Sequence, residues 1–202
     1  MIQKHFSRLH FFGQTRKFDV GRDAALLNAI GKRFPGDKRR IAQAREILRH
    51  CVHQKEMVPG GEPMWDPDNH YIRFVPETLF TDPSYHLPHF YELFALWADE
   101  ADRPFWKEAA EASRKFIALS ADPVTGMSAE YTEYSGATRL MFGKPWAYYS
   151  DAYRVAENIA LDHLWFGSDP ALDAVVTRLQ DTFAKMDLDD LRAYDLDGTP
   201  AE

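Results

Sequence analysis

From Asp37 to Lys55 the apolar positions Ile41, Ala44, Ile47, Leu48, Cys51 and Val52 recur three and four apart among charged residues, which predicts an amphipathic helix. Asp37 reads as its cap, and Pro59-Gly60-Gly61 ends it. Between Met64 and Pro76 the period changes. Aromatic and branched residues around Asp66-Pro67-Asp68-Asn69 predict a turn followed by a short extended stretch. Helical spacing resumes near Ser84, with Pro88 early in the helix, where a missing amide costs least. From Arg103 to Ser120, Phe105, Ala109, Ala112, Phe116 and Leu119 mark another helix, with Pro104 suited to its first turn.

Thr125 to Trp146 holds three glycines and no period, and so long a loop inside a compact domain is commonly functional. Ser150 is expected to open the next helix. Ala152, Val155, Ala156, Ile159 and Ala160 line one of its faces, and Asp151, Arg154 and Asn158 stack on another. Asp169-Pro170 begins a further helix through Val175, Val176, Leu179 and Phe183 to about Met186, and Asp197-Gly198 marks a final turn. Helix follows helix without strand alternation, which predicts an all-α class.

With 202 residues, 45% hydrophobic and 14% aromatic, the chain can bury a core as one domain or part of one, which argues against intrinsic disorder. A formal charge of -7 and the lack of a basic stripe interleaved with aromatics argue against nucleic acid as a partner. No apolar run approaches the ~20 residues of a membrane helix, so no membrane partner is expected. Met1 to Phe18 is basic and aromatic, but His5, Arg8, His10 and Gly13 break any secretory core. Cys51 is alone and can form no internal disulfide; it reads as a buried structural thiol, and the whole reads as cytoplasmic.

Asp151, placed at a helix N-terminus, would be kept ionised by unpaired amides and could take a proton from water, with Arg154 orienting it. The plainer alternative is that Ser150 or Asp151 caps the helix and pairs locally with Arg154. Tyr85 and His86 either face a cleft or pack beneath an aromatic helix start. Trp65 and Trp146 could stack on pyranose rings, although tryptophan at a helix junction is more often core. The histidines show no metal spacing: His50 and His53 lie three apart with no third ligand nearby, so no metal site is expected.

Thr81-Asp82-Pro83-Ser84-Tyr85 leading into an aromatic-rich helix, and Tyr149-Ser150-Asp151-Ala152-Tyr153-Arg154 further on, resemble glycoside hydrolase family 8. Within it the likeness is strongest to the reducing-end xylose-releasing exo-oligoxylanases. It is dense from about Ala42 onward, taking in Met64-Trp65-Asp66-Pro67, Phe74-Val75-Pro76, Phe105-Trp106-Lys107-Glu108, Thr125-Gly126 and Trp165-Phe166. The resemblance implies an (α/α)6 barrel, in which inner helices surround a cleft and outer ones pack around them. With five or six predicted helices this chain would be an incomplete barrel, divided into a poorly matched N-terminal segment, 1–36, and a partial barrel domain, 37–202.

The same resemblance implies roles. Asp151 matches the family's catalytic base, Arg154 the arginine beside it, and Tyr85 the tyrosine that helps hold the nucleophilic water. Substrate contacts would come from Asp19, His86, Glu130, Tyr131, Trp65 and Trp146. Of these, Glu130-Tyr131 fall in a stretch similar to the family's Pro-Glu-Tyr, with Ala129 in place of proline, and Asp19 only loosely matches a sugar-contacting aspartate.

Inverting hydrolysis needs a second carboxyl, an acid roughly 6.5–9.5 Å from the base. The family's acidic glutamate motif finds no match in this sequence. The implied activity is inverting hydrolysis of β-1,4-xylosidic bonds in xylo-oligosaccharides, with release of xylose from the reducing end, a reaction that by the resemblance needs no metal or organic cofactor. A truncated, inactive carbohydrate-binding remnant and a purely structural helical module are the alternatives. Exposed apolar faces would favour self-association or a complementing fragment.

Overall fold

A computed structural model describes residues 37–187 and 192–201. Residues 1–36, and Asp19 with them, lie outside the described residues. In chain order come α1 (Asp37–Met57), β1 (Phe80–Thr81), a 3-10 turn (Pro83–Tyr85), α2 (Pro88–Trp97), a second 3-10 turn (Glu100–Asp102), α3 (Arg103–Ser120), β2 (Thr132–Glu133), α4 (Arg154–Phe166) and α5 (Pro170–Phe183). The expected all-α class holds, because the two strands are only two residues each.

The longest central element, α3, has the predicted bounds and carries Pro104 in its first turn, where no intrahelical amide is lost. Its buried face is not the predicted stripe. Trp106, Ala109, Ala110, Ser113, Phe116, Ile117 and Ser120 are buried, whereas Leu119 is 56% exposed. The arc is wide because α3 is packed at both ends. Trp106, Ala109 and Ala110 share a core with Trp65, Tyr91 and Phe94, while Ile117 packs with Val155, Ile159, Leu172 and Val175 of α4 and α5.

Only the second half of the α1 stripe meets this core. Leu48 is buried and Cys51 and Val52 pack against it, but Ile41 and Ile47 remain exposed. Burial pushes the Cys51 thiol up to about 12, so it stays a protonated core side chain. The turn predicted near Asp66 is present: Asp66 Oδ1 accepts the Asp68 amide at 3.0 Å, and Trp65 pairs with Ile72 across it.

Two expectations about helix ends need correction. Residues 149–153 form a turn and α4 begins only at Arg154, because Ser150 takes a left-handed φ of 47° that no helix contains. In α5, the Asp169 side chain caps by accepting the Ala171 amide at 2.9 Å, but the helix stops at Phe183 rather than Met186. Among the described residues no helix is long and apolar enough to cross a membrane.

The loop from Thr125 to Trp146 is fastened rather than free. Gly126 (φ 75°) lies so close to α5 that a Cβ there would stand 2.4 Å from the Val175 carbonyl oxygen. Further along, β2 pairs antiparallel with β1, Phe80 opposite Glu133 and Thr81 opposite Thr132. That pairing carries Glu130 to the neighbourhood of Asp82. Tyr148 exchanges backbone hydrogen bonds with Tyr194 at 2.8 and 2.9 Å, which fixes the chain just before the 149–153 turn.

Candidate active site

Three pieces of backbone meet: the 3-10 turn after β1, the segment before β2, and the turn before α4. Asp82 opens the first by accepting the Ser84 amide on Oδ1 at 2.7 Å. Tyr85 follows, its carbonyl taken by the Tyr91 hydroxyl at 2.8 Å and its ring stacked 6.0 Å from Phe74. From α4, Asn158 Nδ2 donates to the Ser84 carbonyl at 2.9 Å, so that helix grips the backbone on which Tyr85 is mounted.

Asp151 is at the rim, part exposed. Arg154 Nη1 donates to its Oδ2 at 2.5 Å, and the Arg154 amide donates to the Asp151 carbonyl at 2.9 Å. The expected pairing with Arg154 is therefore present. The expected N-cap is not: α4 starts three residues later, at Arg154, and Tyr153 occupies the cap position with no side-chain cap bond. What holds Asp151 from below is Glu130, whose Oε2 accepts the Asp151 amide at 2.8 Å.

Two further carboxyls lie behind this rim, Asp82 at 1% and Glu130 at 3% exposure. Burial, with the charges of Glu130 and Asp151 adding to it, pushes Asp82 up to about 8, so at neutral pH it is largely the uncharged acid. Burial also raises Glu130, with the Asp151 charge acting in the same direction. The Tyr85 phenol is raised to about 12 by burial and then by the charges of Asp82, Asp151 and Glu130. It remains a neutral hydroxyl that can both donate and accept.

Not every expected substrate contact is available. His86 is fully buried: it stacks 4.4 Å from Phe116, and its ring nitrogens face Thr81 Oγ1 at 3.2 Å and Ser113 Oγ at 3.0 Å. Burial lowers it to about 3, which makes it a neutral core residue and not a sugar ligand. Trp65 is likewise core, edge-on to Tyr91 and Trp106 at 5.4 and 4.9 Å. Glu130 turns out to be spent on the Asp151 turn.

Tyr131 and Trp146 are half-buried. Tyr131 packs edge-on against Phe74 at 4.9 Å, and the Lys144 ammonium stands 5.2 Å over Trp146. Asp82 and Tyr149 carry no role in the sequence reading yet belong here, Tyr149 being raised by burial and by the charges of Glu130 and Asp82. The signal for Asp82 was its place in Asp-Pro-Ser-Tyr; as a turn-opening aspartate it looks ordinary until strand pairing brings Glu130 beside it. Among the described residues no group of three or more His, Cys, Asp or Glu side chains is arranged to hold a metal ion.

The profile of Glycosyl hydrolases family 8 matches residues 16–195. The chain belongs to glycosyl hydrolase family 8. Its family 8 relative Rex8A of Paenibacillus barcinonensis, a reducing-end xylose-releasing exo-oligoxylanase, is 53% identical over 161 residues, which are 79% of this chain and 42% of that protein. A solved family 8 structure described as a reducing end xylose-releasing exo-oligoxylanase superposes with a TM-score of 0.76 at 52% identity, covering 80% of this chain and 42% of the other. A mutant of Rex8A, solved in complex with 3(3)-alpha-L-arabinofuranosyl-xylotetraose, gives the same TM-score of 0.76 at 51% identity over 80% of this chain and 43% of its own. The chain thus spans about two fifths of the length of the family 8 proteins it matches, and its helices correspond to part of their (α/α)6 barrel.

Proposed function

We propose that this chain carries the base half of an inverting glycosidase site, acting on β-1,4-xylosidic bonds of xylo-oligosaccharides with release of xylose from the reducing end. The observation that supports it most directly is the Asp151 carboxylate, part exposed, clasped by Arg154 at 2.5 Å and mounted on a turn whose amide is fixed to Glu130. In this reading water attacks the anomeric carbon, its proton passes to Asp151, and the bond to the leaving oxygen breaks as that oxygen is protonated. Tyr85 orients the water and Arg154 orients the carboxylate. Tyr131 and Trp146, both half-buried, are the substrate-facing candidates. The relatives' names and the arabinofuranosyl-xylotetraose bound to the Rex8A mutant support the substrate class.

The proton for the leaving oxygen is not assigned to this chain, since its sequence has no match to the family's acid motif. An activated substrate separates the two halves. Dinitrophenyl β-xylobioside, whose phenolate leaves without protonation, should be cleaved with Asp151 present and about 10²–10⁴-fold more slowly in Asp151→Asn. Xylotriose, assayed in parallel for xylose, reads the complete reaction. Equal cleavage of the aryl glycoside by both proteins would sink the role of Asp151. We also infer a cytoplasmic setting, supported by the lone Cys51 held as a thiol, which cell fractionation would test. Self-association is supported by Leu79 and Phe142, each 70% exposed, and light scattering would test it.

A further inference from the structure

The turn that carries Asp151 is held by little of its own. Ser150 sits at a φ of 47°, a region that a residue with a side chain occupies only when its surroundings impose it. Within the turn the Ala152 amide donates to the Tyr149 carbonyl at 3.0 Å and the Arg154 amide to the Asp151 carbonyl at 2.9 Å, while the Asp151 amide finds its acceptor outside the turn. A left-handed residue followed by an amide that has no acceptor inside the turn makes a small anion-binding concavity. Glu130 occupies it: its Oε2 receives the Asp151 amide at 2.8 Å, and the Ser150 hydroxyl and the Ala152 amide also act on its carboxylate.

Glu130 itself is well anchored. Its own amide donates to the Ala147 carbonyl at 2.8 Å, so one residue ties the start of the β2 segment to both ends of the stretch 147–151. A contact with sugar does not require a carboxylate 3% exposed with a backbone amide on it. Keeping a strained turn in one shape does.

We propose that Glu130 is a positioning residue of this site: its carboxylate, seated among the amides of the 149–153 turn, fixes the backbone of Asp151 and thereby the aim of its carboxylate. The proposal rests on the reading of Asp151 as the base for its catalytic meaning, but the anchoring itself can be measured without any activity.

The test compares the full chain with Glu130→Gln, which keeps an oxygen acceptor and the volume, and Glu130→Leu, which keeps the volume alone. Amide hydrogen exchange resolved at Asp151 is the decisive readout. The amide should be protected in the original protein and in the Gln variant. It should exchange about tenfold faster or more in the Leu variant, while amides within α3 keep their protection. Equal protection of Asp151 in all three proteins, or equal loss in Gln and Leu, would overturn the anchor. If the Leu variant does not fold, the Gln variant still decides, because loss of Asp151 protection there, with α3 intact, contradicts the proposal. On dinitrophenyl β-xylobioside the Leu change should lower kcat with KM nearly unchanged, and Gln should restore most of it. An original protein that is inactive on this substrate, yet shows the exchange pattern, would remove the base reading and leave the anchor standing.

Discussion

Among the buried carboxylates of the described residues, two groups are treated in opposite ways. Between α2, α3 and α4, Arg114 donates twice to Asp162 at 2.7 Å and once to Glu92 at 2.8 Å, a forked pairing that accounts for the charge of Asp162. Beside the 149–153 turn, Asp82, Glu130 and Asp151 gather, and Arg154 pairs with the part-exposed one, Asp151. Asp82 and Glu130 are left with uncharged donors, backbone amides and, for Glu130, the Ser150 hydroxyl. Paired burial of this kind ties elements together. Crowded, cation-poor burial works against stability and is the usual mark of a working site.

Breaking the paired group should do the most damage to the fold. Asp162→Ala leaves the Arg114 guanidinium with half its partners inside the structure, and chemical denaturation should show a loss of about 3–5 kcal/mol. A loss near zero would mean that the two groups are not so different after all.

The second change should have the opposite sign. Asp82→Asn keeps an oxygen for the Ser84 amide but has no charge to bury. Because folding raises Asp82 from an ordinary 3.8 to about 8, the native state holds a proton that the unfolded chain releases. Stability from this group is full below about pH 4 and is lost as pH rises toward about 8. The melting temperature of the original protein should therefore fall relative to the Asn variant across that window. The gap should reach at least about 2 °C at the alkaline end, and thermal melts at several pH values would show it. A constant gap would mean that Asp82 is an ordinary ionised cap. The smallest effect is expected at the solvent-facing pair of Arg139 with Glu133, where Arg139→Ala should cost under ~1 kcal/mol despite the guanidinium lying 4.3 Å from the Phe80 ring centre.

Elements whose causes are local were legible in the sequence. α3 could be read from Pro104 and its period, and the Asp169 cap from Asp-Pro. The width of the α3 face was not, since that depends on α2 at one end and α4 and α5 at the other. The late start of α4 was hidden as well, because the turn with left-handed Ser150 is met by Glu130, whose carboxylate takes the Asp151 amide from far back in the chain. Motif likeness singled out Tyr85, Asp151 and Arg154 together with His86, but it could not separate a part-exposed side chain from a buried one. His86, next to Tyr85, is the plainest case: adjacent in the motif, it points the other way, into Ser113 and Phe116.

Asn158 gives α4 a mechanical property. The helix begins with the residue that clasps Asp151, and one turn later it holds the carbonyls on either side of Tyr85, at 2.9 Å for Ser84 and 3.4 Å for His86. Any tilt or slide of α4 is thereby transmitted to both attachment points together, as vibration moves two instruments bolted to one rail. Their separation is thereby tied to one helix, and a change at Asn158 or Arg154 should loosen one attachment point and leave the other on α4.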